Sequence, residues 1–371
     1  MAKPSVDRVP PPARADTERV RLPSRRALLW GIQIFILVSL GGLALGSRRT
    51  GLDLQVAGSF DWRFALAIPF LVALDYLLGG WRYRVLFNGR VMTHVSLWDC
   101  LRSNWGNIFL GAATPFQTGG GPAQIYLLWR AGARMSESLL ASLVNFAGTL
   151  VFFCFASWAA LLLIPSGLFD AAVMNLIRSA FVVVGVIAAL TLAVVACPHA
   201  SLAVVRWVND RLLGRIPWLR GMRARLLARF AAGVDRFSGS VRLVWSRGTR
   251  ELIWVVLLTL VLFWNKFSIG YAVVRALGVS APYGIFLGLS SIQLFVIYFA
   301  PTPGASGVAE LSSVWLMARI LPKEILLLYT ILWRFLTTVL GAVIGGIVLF
   351  LEVRRQAREE GKRPALETGM E

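Results

Sequence analysis

Apolar runs of about 20 residues recur along this chain, at about 27–46, 62–81, 139–164, 173–197, 251–274 and 325–351. Each is long enough for an α-helix to cross a hydrocarbon layer of about 30 Å. Inside lipid every backbone amide and carbonyl must be satisfied within the protein, so the runs predict an all-α, polytopic membrane helical bundle with about six full spans. Two further apolar regions, 97–128 and 283–321, are punctuated. The segments Thr114-Pro-Phe-Gln-Thr-Gly-Gly-Gly-Pro-Ala-Gln124 and Ala300-Pro-Thr-Pro-Gly-Ala-Ser-Gly-Val-Ala-Glu310 cannot be continuous helix. Broken backbone at membrane depth survives where protein or a water-filled cavity satisfies it, so each region is expected to form a hairpin, re-entrant or paired, along a cavity wall. A matched pair of breaks in two halves of a chain points to a transporter-type site.

The chain carries 38 Lys and Arg against 19 Asp and Glu, a formal charge of +19, and the basic residues gather in the polar segments between spans. Such a surface suits anionic lipid headgroups and needs no nucleic acid. The asymmetry also orients the spans. Lys3, Arg8, Arg14, Arg19, Arg21, Arg25 and Arg26 put the N-terminal tail on the cytoplasmic side. Arg82, Arg84, Arg90 and Arg102 on one flank, with Arg130 and Arg134 on the other, place both ends of the first broken region on that side. The link 165–172 lacks basic residues and reads as external, 199–250 as cytoplasmic, and Arg354, Arg355, Arg358, Lys362 and Arg363 put the C-terminus inside. The second broken region then opens from outside, and an inverted repeat is the expectation. The expected organisation is a disordered tail over 1–26, a membrane domain over 27–352 and a cytoplasmic tail over 353–371. Within it, 199–250 mixes Arg with Trp, Leu and Phe as interfacial amphipathic helices do.

Several residues in this frame suit an anionic ligand. Gly119, Gly120 and Gly121 allow a turn that exposes amides, Pro122 can open a helix, and Gln117, Thr118 and Gln124 add polar groups. Phosphate binding and simple chain reversal both fit that pattern. Pro301, Pro303, Gly304, Ser306, Gly307 and Glu310 repeat it in the second half. Glu310 suits either a coupling role or a helix cap. Asp75, Lys266 and Arg334 are ionisable within spans, and helical rise puts Lys266 and Arg334 near one depth, where two cations would hold a phosphate. Asp75 suits pairing with one of these two cations in an alternate state, or hydrogen bonding near the interface to Tyr76, Trp81, Arg82 or Arg84, and the structural role is expected ahead of coupling.

The residues argue against familiar chemistry. His94 and His199 are the only histidines, so no His-based triad and no zinc motif can be assembled, and Cys100, Cys154 and Cys197 form no pair. No cofactor, metal or catalytic residue is expected. A transferase acting on polyprenyl-phosphate-linked substrates would have Glu310 and Asp75 as its visible carboxylates, and an envelope scaffold would use 199–250.

At Thr114 to Arg130 and Pro301 to Glu310 the chain resembles the transmembrane family of lysylphosphatidylglycerol synthases, and Gly80-Trp-Arg-Tyr-Arg-Val-Leu-Phe87 is similar to the end of that family's early span. The resemblance extends over about 27–352. It implies a flippase-like protein of a bacterial or archaeal cytoplasmic membrane that handles lipid, and Arg130 joins the candidate binding residues. Phe116, Pro122 and Ala309 depart from the family pattern, which shifts weight to Lys266, Arg334 and backbone amides. Some relatives add an aminoacyl-transferase domain, for which the residues after the last span are too few. The resulting expectation is transport of an anionic lipid headgroup, from a phospholipid or a polyprenyl phosphate, between the hairpins.

Overall fold

The computed structural model describes residues 60–165, 167–197, 200, 203, 234–235 and 237–367. The tail 1–26, the span at 27–46, His199 and most of the basic segment 199–250 lie outside them. In chain order the helices are α1 (Trp62–Leu86), α2 (Leu97–Ala113), α3 (Gly120–Arg130), α4 (Met135–Leu163), α5 (Ala171–Ala196), α6 (Thr249–Ala276), α7 (Tyr283–Tyr298), α8 (Val308–Met317), α9 (Lys323–Arg334) and α10 (Leu340–Glu367). A shorter helical stretch occupies 237–247, and a π turn, Phe335–Val339, joins α9 to α10. Among the described residues no strand occurs.

Four stretches are long and apolar enough to cross a membrane: α1, α4, α6 and the composite Lys323–Arg355. The expected span at 173–197 is helical as α5. Local chemistry sets the boundaries. The Asp61 carboxylate accepts from the Arg63 amide at 3.0 Å, and the Ser96 hydroxyl oxygen accepts from the Asp99 amide at 3.1 Å, so α1 and α2 begin on side-chain caps. Pro282 and Pro322 stand immediately before α7 and α9. Outward-facing side chains are large and apolar: Leu66, Phe70, Phe155, Trp158, Leu162 and Trp264 are each more than half exposed. Apolar surface on that scale needs lipid to cover it.

The two hairpins arise as expected, α2 with α3 and α7 with α8. A 3₁₀ turn separates each pair, Pro115–Gln117 in the first and Pro303–Ala305 in the second. The order α1, α2, turn, α3, α4 recurs as α6, α7, turn, α8, α9, with corresponding elements starting 186 to 188 positions apart (97 to 283, 115 to 303, 135 to 323). At that offset Thr114-Pro-Phe-Gln-Thr-Gly119 lies over Thr302-Pro-Gly-Ala-Ser-Gly307. The backbone repeats as well: φ is 51° at Phe116 and 56° at Gln117, against 59° at Gly304 and 56° at Ala305.

The repeats are inverted. The Asp61 amide, before α1, donates to the Ala276 carbonyl at the end of α6 at 3.1 Å, whereas Asn88, after α1, reaches Glu251 at the start of α6 at 3.2 Å. The leading helices of the two halves therefore run antiparallel. Buried apolar residues gather at both ends of the bundle. One cluster joins Phe87, Met92, Val95, Ala133, Val241 and Val244; the other joins Ile164, Phe169, Leu277, Ala281, Phe286 and Leu321. The connections expected inside and those expected outside thus sort to opposite ends, and the hairpins enter from opposite ends.

Two boundaries differ from expectation. Arg82 and Arg84, expected in a connection, belong to α1, which continues five residues past the apolar run, to Leu86. The segment expected as a tail from 353 is helical to Glu367 as part of α10.

Candidate functional site

The hairpins meet at their breaks. The Phe116 amide donates to the Ala300 carbonyl at 3.3 Å, so each hairpin satisfies part of the other's freed backbone.

In the first break, the Thr114 hydroxyl donates to the Leu110 carbonyl at 2.7 Å, and its oxygen accepts from the Gly119 amide at 2.8 Å. The Thr118 hydroxyl donates to the Pro115 carbonyl at 3.0 Å. The glycines allow the arms of the hairpin to close. A Cβ on Gly119 would stand 2.8 Å from Thr114 Cγ2, and one on Gly120 would stand 2.6 Å from Asn107 Oδ1. A Cβ on Gly121 would meet only Ser142 Oγ, at 3.8 Å. Gly119 already has right-handed helical angles, and α3 starts at Gly120. Tight packing of α3 on α2 accounts for Gly119 and Gly120 without a ligand.

One turn into α3, Gln124 is 1% exposed. Its Oε1 accepts from the Tyr83 hydroxyl at 2.7 Å and from Asn107 Nδ2 at 2.6 Å, and its backbone carbonyl accepts from the Ser103 hydroxyl at 3.2 Å. Its Nε2 is buried without a partner. A neutral network with one donor left over therefore backs the first break.

The second break is held by charge. Glu310, three residues past Gly307, accepts from the Gly307 amide at 2.6 Å and from Arg334 Nε at 3.1 Å. Arg334 Nη2 donates to the Gly304 carbonyl at 2.8 Å, and its Nη1 to Thr338 Oγ1 at 3.4 Å. Gly304 and Gly307, at φ 59° and 81°, supply two of the positive-φ conformations around the turn, and Ala305, at 56°, supplies another. The Thr302 hydroxyl donates to the carbonyl of Ser306, which is itself buried. Glu310 and Arg334 are 4% and 6% exposed, and the π turn begins directly after Arg334. Single π turns within helices frequently accompany functional sites.

The other two intramembrane charges also pair: Lys266 Nζ lies 2.9 Å from Asp75 Oδ2, joining α6 to α1. The residues expected to form one cationic clamp each have a carboxylate, Lys266 on Asp75 and Arg334 on Glu310. Each cation meets a carboxylate in place of a shared open phosphate site, because an unpaired charge at that depth is costly. Of the partners expected for Asp75, the structure shows one of the two cations, Lys266, between α1 and α6, and not Arg82 or Arg84.

Arg130 sits at the mouth of the first hairpin. Its Nε donates to Glu352 Oε1 at 2.9 Å, and Arg102 Nη2 donates to Glu352 Oε2 at 2.8 Å. Both arms of the hairpin are thereby fixed to α10, around a cleft of about 240 Å³ lined also by Asp99, Leu127 and Arg355. Among the described residues no three of His, Cys, Asp or Glu come together as a metal-ligand set.

Sequence reasoning passed over Arg82, Tyr83, Asn107 and Glu352. A signal existed for the first two. Val72, Asp75, Gly79, Arg82 and Leu86 recur at three- and four-residue spacing and all are buried, so the inward stripe of α1 runs through Arg82. No local pattern marks Glu352, whose partners lie 250 and 222 positions away in sequence.

The chain is 24% identical to a UPF0104 membrane protein of Archaeoglobus fulgidus over 326 residues, which cover 85% of this chain and 94% of that protein. The family profile described as "Lysylphosphatidylglycerol synthase TM region" matches residues 30–345. With its helical bundle and two broken hairpins falling inside that match, this multi-pass membrane protein belongs to the lysylphosphatidylglycerol synthase TM region family.

Proposed function

We propose that this protein carries a lipid with an anionic headgroup across the cytoplasmic membrane, passing the headgroup along the junction of the two hairpins. The observation that carries the proposal is the meeting of two inverted breaks, Phe116 on Ala300, beside buried polar and ionic groups. A headgroup in hydrocarbon is opposed by desolvation of its charge, and a polar track within the protein replaces the lost water while the tails remain in lipid. The inverted halves supply two related arrangements, one open to each side, by rocking of one hairpin against the other. In this scheme both termini face the cytoplasm, and no bond is made or broken.

The test uses full-length protein in phosphatidylcholine vesicles containing fluorescent phosphatidylglycerol, with dithionite added to bleach outer-leaflet probe. Protein-containing vesicles are expected to lose more than half of the signal at a rate well above that of protein-free vesicles. Equal loss in both would sink the proposal.

A further inference from the structure

Arg82 is 8% exposed, yet no carboxylate among the described residues lies within ion-pair range of it. Among the described residues its side chain makes one hydrogen bond, from Nη1 to Thr259 Oγ1 at 3.3 Å, and its Nε is buried without a partner there. The other deep cations, Lys266 and Arg334, each have a carboxylate. A buried guanidinium with no carboxylate among the described residues is expensive, and an anionic ligand would supply the compensating charge.

Its surroundings are neutral, polar and near both breaks. Tyr83 is the next residue on α1, and Tyr298 of α7 lies within electrostatic range of Arg82. Tyr83 is the donor to Gln124 behind the first break, and Tyr298 stands two residues before Ala300 at the second. Thr259 gives its own proton to the Val255 carbonyl at 2.6 Å, which leaves its oxygen free to hold Arg82 in place. Thr149 of α4 neighbours Tyr298, and Gly148 lets α4 approach Thr259, where an added Cβ would stand 3.2 Å from Oγ1. Arg84 is engaged with the Phe87 carbonyl at 2.9 Å and with His94 at 3.0 Å.

We infer that Arg82, anchored by Thr259 and flanked by Tyr83 and Tyr298, is an internal binding site for a monoanionic phosphodiester. One guanidinium balances one negative charge, so a phosphodiester suits the site better than a dianionic monoester, and the planar donor fork matches two phosphate oxygens. The site rests on the lipid-carrying proposal for the source of the phosphodiester, a phospholipid headgroup.

Binding to purified full-length protein in a neutral detergent tests it apart from transport. Phosphatidylglycerol is expected to bind, millimolar dimethyl phosphate to compete more strongly than inorganic phosphate, and diacylglycerol to bind at least tenfold more weakly. R82Q is expected to weaken phosphatidylglycerol binding about tenfold or more, with R82K intermediate. Should R82Q not yield monodisperse protein, T259V is expected to weaken binding about three- to tenfold. Wild-type affinity in R82Q, or in both R82K and T259V, overturns the site, as does diacylglycerol binding as well as phosphatidylglycerol. Loss of binding in R82Q while reconstituted wild type moves no lipid leaves the site standing and removes the transport proposal. Wild-type binding in R82Q with active transport does the reverse.

Discussion

The two hairpins share a backbone and differ in what holds it. In the first, Phe116 and Thr118 at the turn are exposed, and the support behind it is a neutral network on Gln124 with one donor unpaired. In the second, Gly304, Ala305 and Ser306 are buried, and Arg334 grips both the turn carbonyl and Glu310. At its break, the same fold element has thus been closed once with neutral hydrogen bonds and once with an ion pair, while the ion pairs of the first hairpin, Arg102 and Arg130 on Glu352, lie at its mouth. Neutral partners exchange at low cost, whereas a buried pair cannot be parted without leaving bare charge. The break of the second hairpin is pinned by charge, and that of the first rests on the weaker neutral bonds.

That contrast breaks most visibly at the ion pair. Glu310→Ala should destabilise the protein by about 3–5 kcal/mol, since it removes the carboxylate that faces the buried Arg334 guanidinium. Replacing both partners, Glu310→Gln with Arg334→Met, should cost less than the single change. Denaturation in mixed micelles would measure both, and a double variant worse than Glu310→Ala would refute the assignment of cost to stranded charge. On the neutral side, Gln124→Leu leaves the Tyr83 hydroxyl and Asn107 amide without their acceptor, an expected loss of about 1–3 kcal/mol in the same assay. A loss as large as that of Glu310→Ala would mean that the hairpins do not differ.

Equivalent backbone positions sharpen the comparison further. Phe116 holds φ 51° with a side chain 55% exposed, where its counterpart Gly304 holds 59° without one. Phe116→Gly should therefore be neutral or stabilising by about 1 kcal/mol, and Gly304→Phe destabilising. Thermal melting of the two variants gives the signs, and equal signs would count against backbone equivalence. Thr118→Val should shift stability by no more than about 0.5 kcal/mol, because the hydroxyl is exposed and bonds only the neighbouring Pro115 carbonyl.

The broad features were legible because they are local. Run length marked α1, α4, α5 and α6, Pro and Gly marked both breaks, and Arg placement sorted the connections to two ends. Partners distant in sequence were not legible. Lys266 and Asp75 meet across 191 positions and Arg102 and Glu352 across 250, so their charges looked open until the helices were brought together. Arg82 was hidden for another reason. Its charge suggested a water-facing connection, and only continuing the inward stripe of α1 past Gly79 would have turned it toward the interior.

The π turn after Arg334 carries a geometric consequence for the whole C-terminal arm. Such a turn holds one residue more than a regular helical turn, which sets the phase of everything beyond it. Deleting one residue from Phe335–Val339 would rotate α10 by about 100° relative to α9 and draw it back by about 1.5 Å. Arg334 would keep its grip on the second hairpin, but Glu352 would face away from Arg102 and Arg130. The extra residue is therefore the phase adjustment by which one continuous arm addresses both hairpins at once.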